Sequence, residues 1–239
     1  MKQINLIGIV GKIYSGKSTV SSIITTILNK DEGLSGAESW KVEKYAGKLK
    51  DIVCILIDCT REDLEHHEFK NKKLDSSWDR WLVVNRLSNS TIKIYSTEQE
   101  AIQYIKDIET NVSILEEFRP SLVLGVKKQE MTPRLLMQLI GTDCFRDIIH
   151  PNTWVNSLFN KYTKDSKWVI DDVRFNNEYE AITKNEGIII RVNRDIDHDS
   201  HRSETELDNN KADYTIYNNG SIEDLTKQVN SILLDLNLI

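Results

Sequence analysis

The stretch IGIVGKIYSGKSTV, Ile7 to Val20, decides how this chain is read. An apolar run, Ile4 to Val10, stops at Gly11. A glycine-bearing turn follows, and then apolar residues at helical spacing: Val20, Ile23, Ile24, Ile27 and Leu28. Strand, turn, helix is the context in which Gly11-x-x-x-x-Gly16-Lys17-Ser18 works as a phosphate-binding loop. Glycines let the backbone wrap an anion with its N–H groups, and the following helix adds the positive end of its dipole. Lys17 is expected to reach the β- and γ-phosphates of a nucleotide, and the Ser18 hydroxyl to ligate Mg²⁺. Gly11, Ser15, Gly16, Lys17, Ser18 and Thr19 form the expected donor-binding set.

Working outward, Trp40–Tyr45 reads as a second short strand and 46–58 as a helix. Residues from about 60 to 130 are less regular. They are charged and aromatic at first, then form two strand-like runs around a polar turn within 81–96. This stretch reads as an insertion on a single domain of residues 1–239, because neither end has a linker composition. Regularity returns in TPRLLMQLIG, with a capping Thr132, Pro133 at the first helical position and Gly141 at the end. Helices at 152–162, 176–187 and 221–236 then alternate with strands at 167–173, 188–192 and 213–218. The expected fold is a three-layer α/β/α P-loop NTPase architecture. Its central sheet is mainly parallel and five-stranded, with an inserted α+β segment.

The 239 residues carry a formal charge of −6, which argues against non-specific nucleic-acid binding. Three cysteines, Cys54, Cys59 and Cys144, show no C-x-x-C spacing and suit a reducing cytoplasm. The apolar N-terminal run is too short for a membrane span and has no signal-peptide cleavage site.

A kinase needs cations for a second substrate as well as a donor site. Arg134, Gln138 and Gly141 stand at i, i+4 and i+7, which in an α-helix places a cation, an amide and a gap on one face. An ordinary solvated face has the same pattern. Asp171 and Asp172 follow a buried strand, and Arg174 comes two residues later. Carboxylates at a strand's carboxyl end can hold Mg²⁺ or orient an acceptor; the alternative is an Asp acting as a cap. Arg191 and Arg194 end the next strand. The polar run DHDSHRSE (197–204) matches no closed zinc spacing and reads as a loop reaching over a substrate.

Together these pieces resemble the deoxynucleoside monophosphate kinases of tailed bacteriophages. The resemblance rests on PRLLMQLIGTD (133–143), Trp154, DVRFNNE (172–178), HRSE (201–204), YAGKLK (45–50) and REDLEHHEFKNKKL (61–74). It implies transfer of the ATP γ-phosphoryl group, with Mg²⁺, to a deoxynucleoside 5′-monophosphate in the host cytoplasm. It implies Lys17, Arg134, Asp172 and Arg174 as catalytic residues and Ser18 and Asp172 as metal ligands. Lys50, Gln138, Gly141, Trp154, His201 and Glu204 join Arg134, Asp172 and Arg174 in substrate binding. No nucleic-acid or membrane partner is expected, and a homodimer is compatible with the reading. Ser18 stands where many members have Asp, and Lys48 where proline is usual. The other readings are a different small-molecule kinase, resembling dephospho-coenzyme A kinase, and a P-loop ATPase or switch with a macromolecular partner. A lid or the inserted segment is expected to close over the reacting groups, since an open kinase hydrolyses its donor.

Overall fold

A computed structural model describes residues 4–30, 39–112, 123–195 and 206–239. The chain divides into two compact units: residues 1–51 with 141–239, and residues 52–140.

The first unit is built on a five-stranded sheet in which every pairing is parallel. In chain order its strands are β1 (Leu6–Val10), β2 (Lys41–Glu43), β6 (Trp168–Val173), β7 (Ile188–Asn193) and β8 (Tyr214–Tyr217). Their order across the sheet is β2-β6-β1-β7-β8, so β1 is central. A strand buried on both faces has no polar alternation, which is why LIGIV and the three isoleucines that open β7 read as continuous apolar runs.

Successive residues of a strand point to opposite faces. Ile7 and Ile9 join Val169, Ile190 and Val192 in one core. That core is completed by α1 (Lys17–Leu28) through Val20 and Ile24, and by α8 (Ile222–Asp235) through Leu225, Val229 and Leu233. On the other face, α7 (Asn176–Lys184) sends Ile182 against Gly8, where a Cβ would lie 2.5 Å from the Ile182 Cδ1. A larger residue in the central strand would therefore lift this helix off the sheet.

The second unit holds an antiparallel three-stranded sheet, β4-β3-β5. Its strands are β3 (Arg80–Asn85), β4 (Ser90–Tyr95) and β5 (Leu124–Gln129). It also contains α3 (His67–Asn71), α4 (Glu98–Val112) and α5 (Pro133–Gln138). The hairpin within 81–96 is as the sequence suggests; α4 and the third strand are additions. Helix α2 (Gly47–Ile57) runs from the first unit into the second. No helix among the described residues is long and apolar enough to cross a membrane.

One helix departs from expectation. The run that begins at Pro133 does not end at Gly141. It is α-helical to Gln138 and then continues as a π-helix from Leu139 to Ile149. The start is as read: the Thr132 hydroxyl accepts from the Leu135 N–H. Gly141 is no cap. It is buried, and a Cβ there would meet Leu49 Cδ2 at 2.9 Å. The helical spacing assumed for Arg134, Gln138 and Gly141 does not hold beyond Gln138, because a π-turn closes on i→i+5 bonds.

Candidate active site

The loop after β1 has the conformation that its glycines permit. Gly11 has φ of 155°, and a Cβ there would sit 2.5 Å from the Val192 carbonyl oxygen. Gly16 has φ of 98° and caps α1. Tyr14 is a non-glycine in the left-handed region (φ 62°), strain of the kind that functional loops hold. The Lys17 ammonium donates to the carbonyls of Gly11 (2.6 Å) and Lys12 (2.7 Å). Ser18 and Thr19 are exposed on the first turn of α1, while Ser15 is buried.

Beside this loop lies a cleft of about 240 Å³ at the carboxyl ends of the sheet strands. It is lined by Gly11, Lys12, Ser15, Arg174, Arg194 and Tyr217, among others. Open α/β sheets bind ligands at this edge. Arg191 also lines the cleft, and its guanidinium donates to the carbonyls of Leu207 and Asn210, both at 2.8 Å. Lys12 reaches Asp208 across 3.9 Å.

The two consecutive acids at the end of β6 do different work. The register between β1 and β6 slips by one residue here, with Gly8 opposite Ile170 and Val10 opposite Val173. Such bulges re-aim side chains and are frequent beside active sites. Asp171 turns to the face of α1. Its Oδ2 accepts from the Ser21 hydroxyl at 2.9 Å, whose one proton is shared with the Ser18 carbonyl at 3.0 Å. Asp171 is 3% exposed; its Oδ1 has no hydrogen bond, and the Lys44 ammonium lies 3.4 Å away. Asp172 instead accepts the backbone N–H groups of Tyr45 and Ala46, both at 2.9 Å, just ahead of α2. Burial raises its pKa against those two hydrogen bonds.

Below Asp172 lies a third carboxylate. Glu178 is buried and paired with Arg146 at 2.6 Å, and its other oxygen accepts the N–H groups of Arg174 (2.8 Å) and Phe175 (3.2 Å). It thus holds the first turn of α7 and the backbone at Arg174. The Arg146 guanidinium also covers the Phe175 ring at 4.0 Å. The Tyr45 hydroxyl donates to the Glu178 carbonyl.

Burial, followed by the charge on Asp172, pushes the Glu178 pKa up to about 7 despite Arg146. A raised pKa means that the folded protein holds this proton more tightly than the unfolded chain. Its contribution to stability is complete below the ordinary value of 4.5 and is lost as pH rises through about 7. Urea midpoints of the wild type should therefore fall between pH 5 and 8. In Glu178→Gln that decline should be shallower; an equal decline in both proteins would assign the titration elsewhere.

The other expected site residues are spread over several elements. Trp154 is buried on α6 (Thr153–Phe159); its Nε1 donates to the Gly141 carbonyl at 2.9 Å and its ring stacks on Phe145. Lys50 is half-buried on α2, and Arg174 is exposed at the cleft. In the second unit, Arg134 and Gln138 are exposed on α5, and the Arg134 Nε donates to Asn71 Oδ1 at 2.9 Å. His201 and Glu204, with the whole run 197–204, lie outside the described residues.

Sequence reasoning missed Glu178, Arg146 and the distinct role of Asp171. Glu178 carried a signal, an acid three residues after Phe175 at a helix start. Arg146 carried none, because its partner is 32 residues away.

Residues 5–229 match the family model described as deoxynucleotide monophosphate kinase. The chain is similar to the deoxynucleoside-5′-monophosphate kinase of Escherichia phage T5. They are 24% identical over 187 residues, which cover 74% of this chain and 71% of that protein. It is also similar to a protein of Acanthamoeba polyphaga mimivirus provisionally named as a deoxynucleotide monophosphate kinase. Here the identity is 33% over 115 residues, 41% of this chain and 59% of the relative's length.

Proposed function

The chain belongs to the deoxynucleotide monophosphate kinase family, and is by that membership a phosphotransferase; on that premise we propose that it transfers the γ-phosphoryl group of ATP to a deoxynucleoside 5′-monophosphate with Mg²⁺. The observation that carries the donor half is the Lys17 ammonium enclosed by the loop carbonyls of Gly11 and Lys12 at the carboxyl end of a parallel sheet. A cation held within a glycine loop ahead of a helix N-terminus is what a triphosphate tail needs.

In this reading Gly11, Ser15, Gly16 and Thr19 shape the donor loop, and Lys17 meets the β- and γ-phosphates. Mg²⁺ is held in kinases largely by substrate phosphates and one or two side chains, and it neutralises the charge that develops during transfer. The residues fit such an ion: the Ser18 hydroxyl is exposed on the first turn of α1, and Asp171 keeps a buried oxygen free of hydrogen bonds on that helix's face. Asp171 is therefore a better candidate for the metal's waters than Asp172, whose oxygens accept two backbone N–H groups. Asp172 would act at the reaction centre by holding the Tyr45–Ala46 turn, and with it the helix that carries Lys50. Arg174 would stabilise the transferring phosphoryl group. Arg134 and Gln138 would hold the acceptor, with His201 and Glu204 as further contacts. Gly141 and Trp154 would act within the first unit, through the hydrogen bond between them.

A coupled assay tests the reading: ATP with each deoxynucleoside monophosphate, with dephospho-coenzyme A, and with no acceptor. Turnover with a deoxynucleotide supports it. Turnover with dephospho-coenzyme A alone, or hydrolysis independent of acceptor, would replace it. Arg174→Ala should lower kcat by about a thousandfold, as losing a cation from the transition state does, while its ATP Kd stays within about threefold of the wild type. Near-normal turnover in that variant would remove Arg174 from the reaction.

A further inference from the structure

We infer that Asn218 is a positioning residue for the phosphate-binding loop: its amide holds the Ser15 carbonyl and thereby aims the Gly16 N–H at the donor phosphates. The inference rests on the donor-site reading above. Asn218 is the first residue after β8. Its backbone N–H donates to the Asn193 carbonyl at 2.8 Å, which ties it to the end of β7. Its Nδ2 donates to the Ser15 carbonyl at 2.8 Å, a bond that spans 203 residues of sequence.

The consequence follows from peptide geometry. In a trans peptide the C=O and the next N–H point in opposite directions. With the Ser15 oxygen drawn toward Asn218, the Gly16 N–H must point the other way, away from β8. The Ser15 side chain does not share this task, because its buried Oγ has no hydrogen-bond partner. Gly16 completes the arrangement. A Cβ there would run into the Asn218 Nδ2, so the absent side chain leaves room for the amide as well as allowing φ of 98°. A loop whose N–H groups are aimed before the ligand arrives loses less affinity to ordering.

The requirement is for a donor at this position. Asparagine supplies one; an ionised aspartate has the same shape but only accepts, and it would set oxygen against oxygen. Asn218→Ala and Asn218→Asp should therefore fail in the same way, although only one adds charge. The experiment is equilibrium titration with ATP and Mg²⁺, together with the KM for the deoxynucleoside monophosphate and thermal unfolding of each protein. In both variants the ATP Kd should rise about tenfold, the effect expected of one lost hydrogen bond of ordinary strength. The acceptor KM should stay within about twofold and Tm close to the wild-type value. Should Asn218→Ala not fold, the isosteric Asn218→Asp carries the test. An unchanged ATP Kd in the folded variants would overturn the inference and leave the donor-site reading intact. A parallel loss of ATP affinity, acceptor affinity and Tm would also overturn it, since that marks general destabilisation. If the wild type itself bound no ATP, the donor-site reading would fail and the inference with it.

Discussion

Lys17→Ala should lower kcat/KM by about three orders of magnitude and leave the fold in place. The loss follows from charge. During transfer, negative charge spreads over the oxygens of the moving phosphoryl group, and a fixed cation in a water-excluding site is worth about 3–4 kcal/mol to that state. The fold should survive because the Lys17 ammonium donates to loop carbonyls, those of Gly11 and Lys12, while the core of the sheet is built of apolar side chains. Steady-state kinetics with the accepted deoxynucleotide, alongside a urea melt, provide the check. A variant that folds and turns over within tenfold of the wild type would take this loop out of the chemistry.

Arg146→Ala should destabilise the protein by about 3 kcal/mol at pH 8, because removing one partner of a buried ion pair leaves the other charge uncompensated. Glu178 is that charge: 2% exposed, bonded to Arg146 at 2.6 Å, and beside Asp172. The loss should shrink toward pH 5. With Arg146 gone the Glu178 carboxyl binds its proton still more tightly, and a neutral carboxyl needs no cation. Turnover should fall as well, since Glu178 holds the backbone at Arg174. Urea unfolding at pH 5 and pH 8 separates the outcomes. A loss that does not depend on pH would mean that Arg146 acts through its packing on Phe175 and not through the carboxylate.

Much of the first unit was legible in the chain itself. Its central strands open as apolar runs, LIGIV, WVI and III, and its helices carry apolar stripes, and both are local signals. Ser221 and Asp224, three residues apart as a capping box requires, exchange hydrogen bonds at the head of α8. The Gly11-to-Ser18 spacing located the loop for the same reason, because a turn's dihedral demands are met by its own residues. Residues 52–140 were less legible. Helix α4 does carry a local signal, Ala101, Ile105 and Ile108 at helical spacing, which the reading of 60–130 as irregular passed over, whereas β5 pairs with β3 about 45 residues earlier. The π-helix was not legible at all. Gly141 in LIGTDCFRDII reads as a helix end, nothing in the run signals π-spacing, and that spacing places Gly141 under Leu49 and against Trp154.

The sequence by itself determined the architecture, the phosphate loop and the family resemblance that carries the chemistry, because these lie in contiguous residues whose preferences act locally. Only the tertiary structure decided how the two acids in VIDDV divide their work. A strand alternates its faces and this one carries a bulge, so Asp171 meets Ser21 on α1 while Asp172 caps the turn at Tyr45 and Ala46. The partners that hold the site were likewise beyond the reach of local pattern. Arg146 finds Glu178, and Asn218 finds Ser15, only when distant strands and helices pack, and a contact between residues far apart in sequence leaves no periodicity to read.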